Sequence, residues 1–372
     1  MAKNTQEIPY TEIVERVQKL GRLSPNTLEK IRGVVQDIYF REIASKYDWK
    51  FLRVSSSIVT TPEYNTGTFT ANTGDTVGVF SSDVTLTSIF TGRQLKVQGN
   101  DPVYNVTFSN TTAATLSPSF EGSGNASGNG YTIFQPFYAL AADFDRFPTD
   151  EGLIVWNGGE KKSIPDISHD TIKWRDEYSA TPGIPSRMRI VTPDTAGNQR
   201  IELNPPPKYG RAYNYEYYRR LRPLVESSGQ LLSISANQTT VSGLPGNSRF
   251  TEATTGDWLR VDALGTGQDS SWYRIIAIAN DSSLTISTNF ANTAITSSAN
   301  YMIARAPEMP PILHAAVMYG ALRGLMVDQN DPQFQDYQIR YAEAMSDAKA
   351  NFVTRQYNQE MHSMAEEYMY RR

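Results

Sequence analysis

The chain begins with apolar residues at helical spacing. In residues 10–20 an apolar side chain recurs at every third or fourth position, which predicts a helix with one buried face that ends at the following glycine. Ser24 and Pro25 then supply an N-cap and a first-turn proline, and the spacing continues to Ile43. The sequence therefore predicts two N-terminal helices, and the aromatic-rich run 47–52 that follows is expected to pack beneath the next element.

Two later stretches, 58–137 and 228–304, replace this pattern with short Thr-, Val- and Ser-rich runs broken by glycine, which predicts β-strands. The stretches are copies of one another, because residues match at a nearly constant separation, from 164 (76 and 240) to 170 (110 and 280). The matches are Thr76-Val77 with Thr240-Val241, Thr91-Gly92-Arg93-Gln94-Leu95-Lys96-Val97 with Thr255-Gly256-Asp257-Trp258-Leu259-Arg260-Val261, Tyr104-Asn105-Val106 with Tyr273-Arg274-Ile275, and Asn110, Leu116, Phe120, Tyr131 and Ile133 with Asn280, Ile286, Phe290, Tyr301 and Ile303. Each copy is predicted to be a small two-sheet sandwich or a small barrel.

The last part of the chain, 305–372, returns to helical spacing. Residues 313–326 are apolar on most sides, as expected for a helix buried against others. Asp331 and Pro332 then supply a cap and a first-turn proline for a final helix. The Met-, Tyr- and Arg-rich segment 360–372 has no stop signal, so we expect it to stay mobile until a partner binds it.

These patterns together predict an α+β multidomain protein. It has a discontinuous helical-bundle core with a small β element, in which Tyr213, Tyr215 and Tyr217 share one face of a strand, and two repeated all-β insertions. The predicted parts are the N-terminal helices over 1–57, the first insertion over 58–137, a β-containing middle part of the core over 138–227, the second insertion over 228–304, and the C-terminal helices and tail over 305–372.

Composition and charge narrow the possible functions. Of the 372 residues, 39% are hydrophobic, which is too many for a disordered chain, and the net charge of −4 provides no basic field for gripping nucleic acid. The absence of cysteine excludes disulfides, thiolate metal sites and cysteine nucleophiles. No signal-peptide core or apolar stretch of the ~18 residues needed for a membrane span is found, so a soluble cytosolic product without a membrane partner is expected.

A search for reactive patterns gives no candidate for a catalytic, cofactor or metal site. His169, His314 and His362 each stand alone, so we expect structural or solvated roles for them. The patterns of the serine elbow, the phosphate loop and the zinc proteases are absent. The basic run 219–222 indicates either surface or inter-subunit charge, which we favour, or a contact with phosphate. The acidic residues within 143–151 lack the spacing of a calcium loop.

Several stretches in the order of the chain carry a resemblance to a known family. They are Tyr47-Asp48-Trp49-Lys50-Phe51-Leu52, then Arg200-Ile201-Glu202-Leu203-Asn204-Pro205-Pro206-Pro207 followed by Tyr215-Glu216-Tyr217-Tyr218-Arg219-Arg220, and finally His314-Ala315-Ala316-Val317-Met318-Tyr319-Gly320-Ala321. In these stretches the chain resembles the head-to-tail adaptor, connector or neck proteins of short-tailed double-stranded DNA bacteriophages. Each β repeat, with the pattern T-G-x-x-L-x-V, then Y-x-V/I and a closing Y-x-I, is also similar to the Ig-like modules often inserted in phage structural proteins.

The resemblance implies a structural virion protein and not an enzyme. In that family the helical cores pack side by side into a ring, usually of twelve copies, between the portal and the tail, and DNA passes through the channel without sequence-specific binding. It also implies that the C-terminal segment contacts the portal, through Tyr368, Tyr370, Arg371 and Arg372 of this chain. The implied partners are further copies of the chain, the portal protein, and tail nozzle or tail fibre proteins. The implied location is the neck of a virion assembled in the host cytoplasm.

Other classes of function remain open at this point. The repeated modules are compatible with a receptor- or glycan-binding phage tail protein, and an enzyme such as a depolymerase is the third class. The helical frame split by two insertions favours the adaptor, because fibres and spikes are typically long β trimers that do not need such a frame. For an adaptor, we expect the free protein to be a monomer and the two modules to project outward and hold tail components.

Overall fold

The computed structural model describes residues 7–122, 124–148, 153–157, 160–167, 180–261, 271–291, 293–296, 299–327 and 333–353. Its tertiary contacts divide the chain into two compact units. Unit 1 combines Met1–Phe51 with Leu221–Arg372, and unit 2 is Leu52–Arg220. Helices and several β-sheets occur in the described part of the chain, which confirms the predicted α+β multidomain class.

Unit 2 is built from β-structure in the residues described. Its strands are β1 (Arg53–Val59), β2 (Phe69–Ala71), β3 (Val77–Phe80), β4 (Gln94–Val97), β5 (Val103–Asn110), β6 (Ala113–Ser117), β7 (Ala126–Asn129), β8 (Tyr131–Phe134), β9 (Phe137–Ala139), β10 (Phe144–Arg146), β11 (Leu153–Asn157), β12 (Glu160–Ile164), β13 (Arg187–Val191), β14 (Arg200–Asn204) and β15 (Ala212–Arg219). Strands β2 to β8 belong to the first predicted module and form one sheet in the order β7-β2-β3-β6-β5-β4-β8.

The remaining strands of unit 2 form two further sheets. One has the order β1-β15-β11-β12 with β10 also paired to β15, and the other has the order β13-β14-β9. Tyr213, Tyr215 and Tyr217 of β15 are at most 5% exposed and face one core. Their common burial confirms the face predicted from period two. The five-stranded sheet contains the only described strand N-terminal to the first module, β1, and pairs it antiparallel with β15.

Unit 1 contains the helices α1 (Tyr10–Leu20), α2 (Leu28–Asp37), α3 (Pro311–Val327) and α4 (Phe334–Phe352). Helix α1 and helix α2 contact each other and α3, and α3 packs against α4. The apolar spacing of α1 and α2 explains this arrangement, because each presents one stripe of apolar side chains to the others. Segments from the two ends of the described chain therefore lie in one unit.

The predicted helix boundaries hold only in part. Ser24 accepts a hydrogen bond from the Asn26 N–H at 3.4 Å and starts a 3-10 turn, Pro25–Thr27, before α2. After α2 the backbone continues as a π-helical segment, Ile38–Ala44. The long second helix predicted from the spacing is therefore a 3-10 turn, an α-helix and a π-helical segment in succession. The predicted cap at 331–332 lies outside the described residues.

The second module, also in unit 1, is a closed six-stranded barrel. Its strands are β16 (Glu226–Ile234), β17 (Thr240–Gly243), β18 (Trp258–Val261), β19 (Trp272–Asn280), β20 (Ser283–Ile286) and β21 (Ala299–Ala304), in the order β16-β17-β20-β19-β18-β21 with β21 paired back to β16. Of the two predicted alternatives, sandwich and small barrel, this module takes the barrel.

The pairing of strands is shared between the two modules, as expected for repeats. Strands β3-β6-β5-β4-β8 of the first follow the same order as β17-β20-β19-β18-β21 of the second. The equivalent pairings include Leu95 with Tyr104 and Ile133, and Leu259 with Tyr273 and Ile303. In the second module β16 closes the barrel by pairing with β21 from Glu226 to Leu231, whereas the equivalent closure in the first module is a bridge between Tyr64 and Ile133.

One part of the predicted repeat alignment, the match of Thr76-Val77 with Thr240-Val241, is wrong by one residue. Val77 is 43% exposed, whereas Val241 is fully buried, and Gly78 takes the inward position in the first module. The backbone bonds that fix this register are Leu116 N–H to the Thr76 oxygen and Ile286 N–H to the Thr239 oxygen. The identical Thr-Val pair suggested the match, but side chains alternate between faces, so a slip of one residue exchanges inside for outside.

Candidate functional surfaces

The residues implied as the portal contact are at the C-terminal end of the sequence. Tyr368, Tyr370, Arg371 and Arg372 lie outside the described residues, which extend to Val353. The structure therefore places the start of the C-terminal segment and not its proposed contact residues.

Trp49 pairs with the backbone directly after α4, at the start of this segment. The indole is fully buried, and its N–H donates to the Ile43 oxygen at 2.7 Å. The backbone of Trp49 forms an antiparallel bridge with Val353, directly after α4. A rigid tryptophan with a satisfied indole N–H fixes both segments, since an aromatic ring buries a large apolar area with few rotatable bonds.

Three further aromatic rings surround this bridge. The Phe51 ring lies edge-on to the Phe352 ring, with centroids 6.3 Å apart, and the Lys349 ammonium lies 4.2 Å from the centroid of the Tyr47 ring. We call Tyr47, Trp49, Phe51 and Phe352 the aromatic anchor. The sequence predicted that the aromatics of the 47–52 run pack beneath the next element. The anchor residues of this run instead contact the end of the last described helix, a pairing that no local pattern reveals.

His314 of α3 binds the N-terminal segment to the same unit. The side chain is fully buried, its Nδ1 accepts the Ile8 N–H at 2.9 Å, and its Nε2 lies 3.0 Å from the carbonyl oxygens of Pro307 and Met309. Chiefly through burial, the pKa of His314 lies below its usual value, which favours the neutral ring with a proton on Nε2. Its role is structural, as predicted; His169 and His362 lie outside the described residues.

A charged contact connects α3 with the end of the second predicted helix. Arg323 forms an ion pair with Glu42, and its guanidinium lies 4.5 Å from the centroid of the Tyr341 ring. The Tyr341 hydroxyl donates to Glu42 at 3.3 Å. Burial, and next the Glu42 charge, raise the pKa of Tyr341 to about 12, so the phenol stays protonated and keeps donating at neutral pH.

The basic run 219–222 has intramolecular partners within each unit. Arg222, in unit 1, pairs with Glu308 and donates to Thr254 at 2.8 Å. In unit 2, Arg220 donates to the Phe144 oxygen at 3.3 Å. These contacts favour a structural role for the charges of the two arginines over a role in binding phosphate.

The acidic residues within 143–151 also have partners where they are described. Asp143 accepts the Tyr217 hydroxyl at 2.6 Å, and Asp145 pairs with Arg146 at 3.0 Å. Residues 149–152 lie outside the described chain. Within the described ranges, no group of three or more His, Asp or Glu side chains has the arrangement needed to hold a metal ion.

Each unit has an open groove among its described residues. The groove of unit 1 has a volume of about 830 Å³, and that of unit 2 about 490 Å³. The first is lined by Arg32, Glu226, Ser227, Ser228, Gly229, Gln230, Gly246, Asn247, Arg249, Glu252 and Met302, and the second by Asn65, Lys96, Val97, Gln98, Gly99, Gly130, Tyr131, Thr132, Thr181 and Pro182. Arg32 in the first groove pairs with Glu226 and Glu29, so its charge is already compensated within the chain.

None of the helices in the part of the chain that the structure describes has the length and apolar character needed to cross a bilayer.

Comparison with known proteins gives no family assignment. No family model matches the sequence, and no curated protein matches it. Among solved structures, phage phi92 endosialidase matches with a TM-score of 0.18 and 12% identity over 70% of this chain and 31% of the endosialidase chain. Translation elongation factor SelB from Methanococcus maripaludis, in complex with the GTP analogue GppNHp, matches with a TM-score of 0.15 and 11% identity over 67% of this chain and 63% of its own. The chain thus spans less than two thirds of either protein, and likenesses this weak establish neither a fold nor a function.

Proposed function

We propose that the chain is a subunit of a head-to-tail adaptor ring in a short-tailed double-stranded DNA bacteriophage. In this proposal the helices of unit 1 form the discontinuous helical-bundle core that packs against copies of itself, with twelve copies as the expected number. The ring lies in the neck of the virion, between portal and tail, and has a structural role without catalysis. Assembly takes place in the host cytoplasm.

The aromatic anchor is the observation that carries this proposal. It joins Tyr47, Trp49 and Phe51, which belong to one of the stretches that carry the resemblance, to Phe352 at the end of α4. The stretch around His314 lies in the same unit. An adaptor whose C-terminal segment reaches a partner needs a fixed point from which that segment extends, and the bridge between Trp49 and Val353 supplies one.

In the proposed assembly, the portal contact is made by Tyr368, Tyr370, Arg371 and Arg372. A segment that becomes ordered on its partner adds contact area when the partner is present, and it pays the ordering entropy at that step. Such a contact couples ring formation to the portal, so the free protein is expected to be a monomer.

The two β modules are proposed to hold tail fibres or tail nozzle proteins at the outside of the ring. A channel that passes DNA benefits from a neutral or acidic wall, because attraction to phosphates would bind the genome and slow its passage. The net charge of −4 is compatible with such a wall.

The test is assembly of the purified full chain on the portal protein of the same phage. We expect a monomer in sedimentation when the chain is alone, and a ring on the portal in negative-stain images when both are mixed. A double variant, Arg371→Glu with Arg372→Glu, is expected to weaken ring formation on the portal at least tenfold in the concentration required. The matched control, Arg249→Glu with Arg274→Glu, changes two exposed arginines of the second β module, which the proposal places at the outside of the ring and away from the portal contact, and it should leave assembly unchanged.

Two outcomes would contradict the proposal. One is a free, elongated trimer that ignores the portal, which would favour the receptor- or glycan-binding tail protein. The other is a ring that forms equally well with both double variants, which would remove the C-terminal arginines from the portal contact.

A further inference from the structure

One edge of strand β16, in the second module, is only partly covered. The Val225 oxygen, just before the strand, accepts the Arg305 N–H at 3.0 Å, so Val225 and every second residue after it form their backbone bonds with β21. The residues between them direct their N–H and C=O groups to the opposite edge. In the first half of the strand these residues are Glu226, Ser228 and Gln230.

Both ends of this opposite edge have partners. The Gln230 N–H donates to the Asn247 oxygen, and the Gln230 oxygen accepts the Leu244 N–H, both at 3.1 Å. At the other end, the Leu224 oxygen accepts a hydrogen bond from the side-chain amide of Gln36, in α2. A neighbouring loop therefore satisfies one end of the edge, and a helix satisfies the other.

Between these ends the edge is open over Glu226 and Ser228. Their N–H and C=O groups on this side form no hydrogen bond with any residue that the structure describes. The chain that covers the edge as far as Leu244 turns away at Pro245 and Gly246, whose φ is 80°. The open edge faces the groove of unit 1, which has a volume of about 830 Å³ and is lined by both residues.

The repeat identifies the matching edge of the first module. Tyr64 pairs with Ile133 there, and Ser227 pairs with Ile303 in the second module. Because the two isoleucines are equivalent, Tyr64 is the counterpart of Ser227. The residue before each of them is glutamate in both modules, and its backbone points to the edge that lies away from the last strand.

In the first module another backbone segment covers this edge. The Glu63 N–H donates to the Lys208 oxygen at 3.1 Å, and the Lys208 ammonium lies 3.5 Å from the Glu63 carboxylate. The covering segment leads into β15 and continues its antiparallel pairing with β1, since the Thr60 N–H donates to the Arg211 oxygen at 2.8 Å. The second module has the same edge and the same glutamate without such a segment among the residues described.

We propose that the open edge of β16 binds an extended segment of another polypeptide, which joins the sheet as an additional strand. The backbone groups of Glu226 and Ser228 bind the backbone of that segment, as Glu63 binds the carbonyl of Lys208. A polypeptide fits this edge because its donors and acceptors alternate at the spacing of a neighbouring strand. This inference does not depend on the adaptor proposal.

The charges of the groove indicate the side chains of the bound segment. Arg32 forms an ion pair with Glu226, and Arg249 forms one with Glu252, so the two cations and the two carboxylates compensate one another. Most of the other lining residues are serine, glycine, asparagine and glutamine. A segment with small, uncharged polar side chains therefore fits the groove without leaving a charge unpaired.

The test is a titration of the full chain with a peptide of this kind. The chain contains no cysteine, so Asn247→Cys supplies a single exposed thiol at the groove for an environment-sensitive dye. The peptide is acetyl-Thr-Ser-Thr-Val-Ser-Thr-amide, and we expect it to change the dye emission saturably. A version that is N-methylated at every second residue keeps one hydrogen-bonding edge and should bind with a Kd within about twofold, whereas N-methylation at every residue should weaken binding at least about tenfold.

A pair of variants tests the edge itself. Ser228→Pro removes the N–H that points into the groove, and proline is compatible with this position because that N–H takes no part in the pairing with β21. It should weaken peptide binding at least about fivefold. The matched control, Ser228→Ala, keeps the N–H and should bind within about twofold of the unmodified edge. Circular dichroism checks that both variants fold, and the N-methylated peptides give the same decision without any change at the edge.

Three outcomes would overturn the proposal. The first is an emission that the peptide does not change saturably, and the second is equal binding of the unmodified and the fully N-methylated peptides. The third is a folded Ser228→Pro chain that binds the peptide as well as Ser228→Ala does. Maltohexaose serves as a probe for sugars, and a saturable response to it without one to the peptide would assign the groove to a glycan instead.

Discussion

The two β modules share their backbone geometry. They differ in how the charges of their buried side chains are paired. The Gly92 N–H donates to the Val106 oxygen in the first module and the Gly256 N–H to the Ile275 oxygen in the second, both at 2.8 Å. Both glycines have a positive φ, 83° and 98°, so each copy needs glycine at the same turn. Strand order and turns are thus the same in both copies, whereas the buried charges beside them differ.

The difference lies at the seam between β4 and β8 in the first module and between β18 and β21 in the second. The second module places Asp257 and Arg305 there, and Asp257 also accepts the Thr254 N–H at 2.9 Å. The first module places Arg93 and Gln135 there, and the cation is left without an acid among the described residues. Two copies of one fold can therefore tolerate different buried charges, provided that the hydrogen bonds of the backbone are kept.

The largest effect is expected from breaking the pair of the second module. Asp257→Asn leaves the buried Arg305 without a counter-charge, which should lower the free energy of unfolding of unit 1 by about 3–5 kcal/mol. Denaturant unfolding followed by circular dichroism measures the change. Arg93→Gln removes a buried cation that forms no ion pair among the described residues, and it should be neutral or stabilising. Equal losses from the two variants would mean that the two seams are electrostatically alike.

A smaller loss is expected from filling the space at Gly78. A Cβ at this position would lie 2.2 Å from Cε2 of the Phe69 ring, which is fully buried, so the ring would have to move. Gly78→Ala should therefore cost about 1–3 kcal/mol of the stability of unit 2, measured by denaturant unfolding. The control is Gly74→Ala, where a Cβ would meet nothing within 4 Å but the φ of 93° adds backbone strain. A Gly78→Ala loss below that of the control would show that the Phe69 ring adapts without cost.

Much of the fold, including the similarity of the two modules, could be predicted from the sequence. The helical spacing of α1, the repeat itself and the common face of Tyr213, Tyr215 and Tyr217 are local patterns, and the structure contains all of them. The alignment at Val77 is wrong by one residue because the same Thr-Val pair occurs in both modules at positions that face opposite sides of the strand. Alternation along β4 also predicts the burial of Arg93, because Arg93 lies two residues before Leu95 and both side chains face inward.

The candidate surfaces were less predictable, for a physical reason. Trp49 and Val353 are joined by a backbone bridge, yet they lie near opposite ends of the chain, and pairing over such a separation leaves no periodic pattern in either segment. The residue opposite Arg93 is set by the register of β4 and β8, which no local sequence pattern reveals. Tyr368 and its neighbours lie outside the described residues, so their proposed contact rests on the resemblance.

Equal and modest losses are expected from two equivalent tyrosines. The Glu121 N–H donates to the Tyr104 hydroxyl at 3.1 Å, and the Ala291 N–H donates to the Tyr273 hydroxyl at 3.2 Å. Tyr104→Phe and Tyr273→Phe each remove one such acceptor, so each should cost about 1 kcal/mol in denaturant unfolding. The two losses should agree within about 0.5 kcal/mol. A larger disagreement would show that the two equivalent hydrogen bonds differ in strength.

The smallest effect is expected at Val77, and it decides the register of the repeat. In the structure Val77 points outward on β3 and is 43% exposed, while the neighbouring Gly78 faces the core. Val77→Thr keeps the β-branched shape and places a hydroxyl in contact with water, so the free energy of unfolding should change by no more than about 0.5 kcal/mol. If the match with Val241 were correct instead, the hydroxyl would enter a dry core without a partner and cost about 1–3 kcal/mol. A loss of that size, measured by the same denaturant unfolding, would return Val77 to the interior and make Gly78 an outward residue.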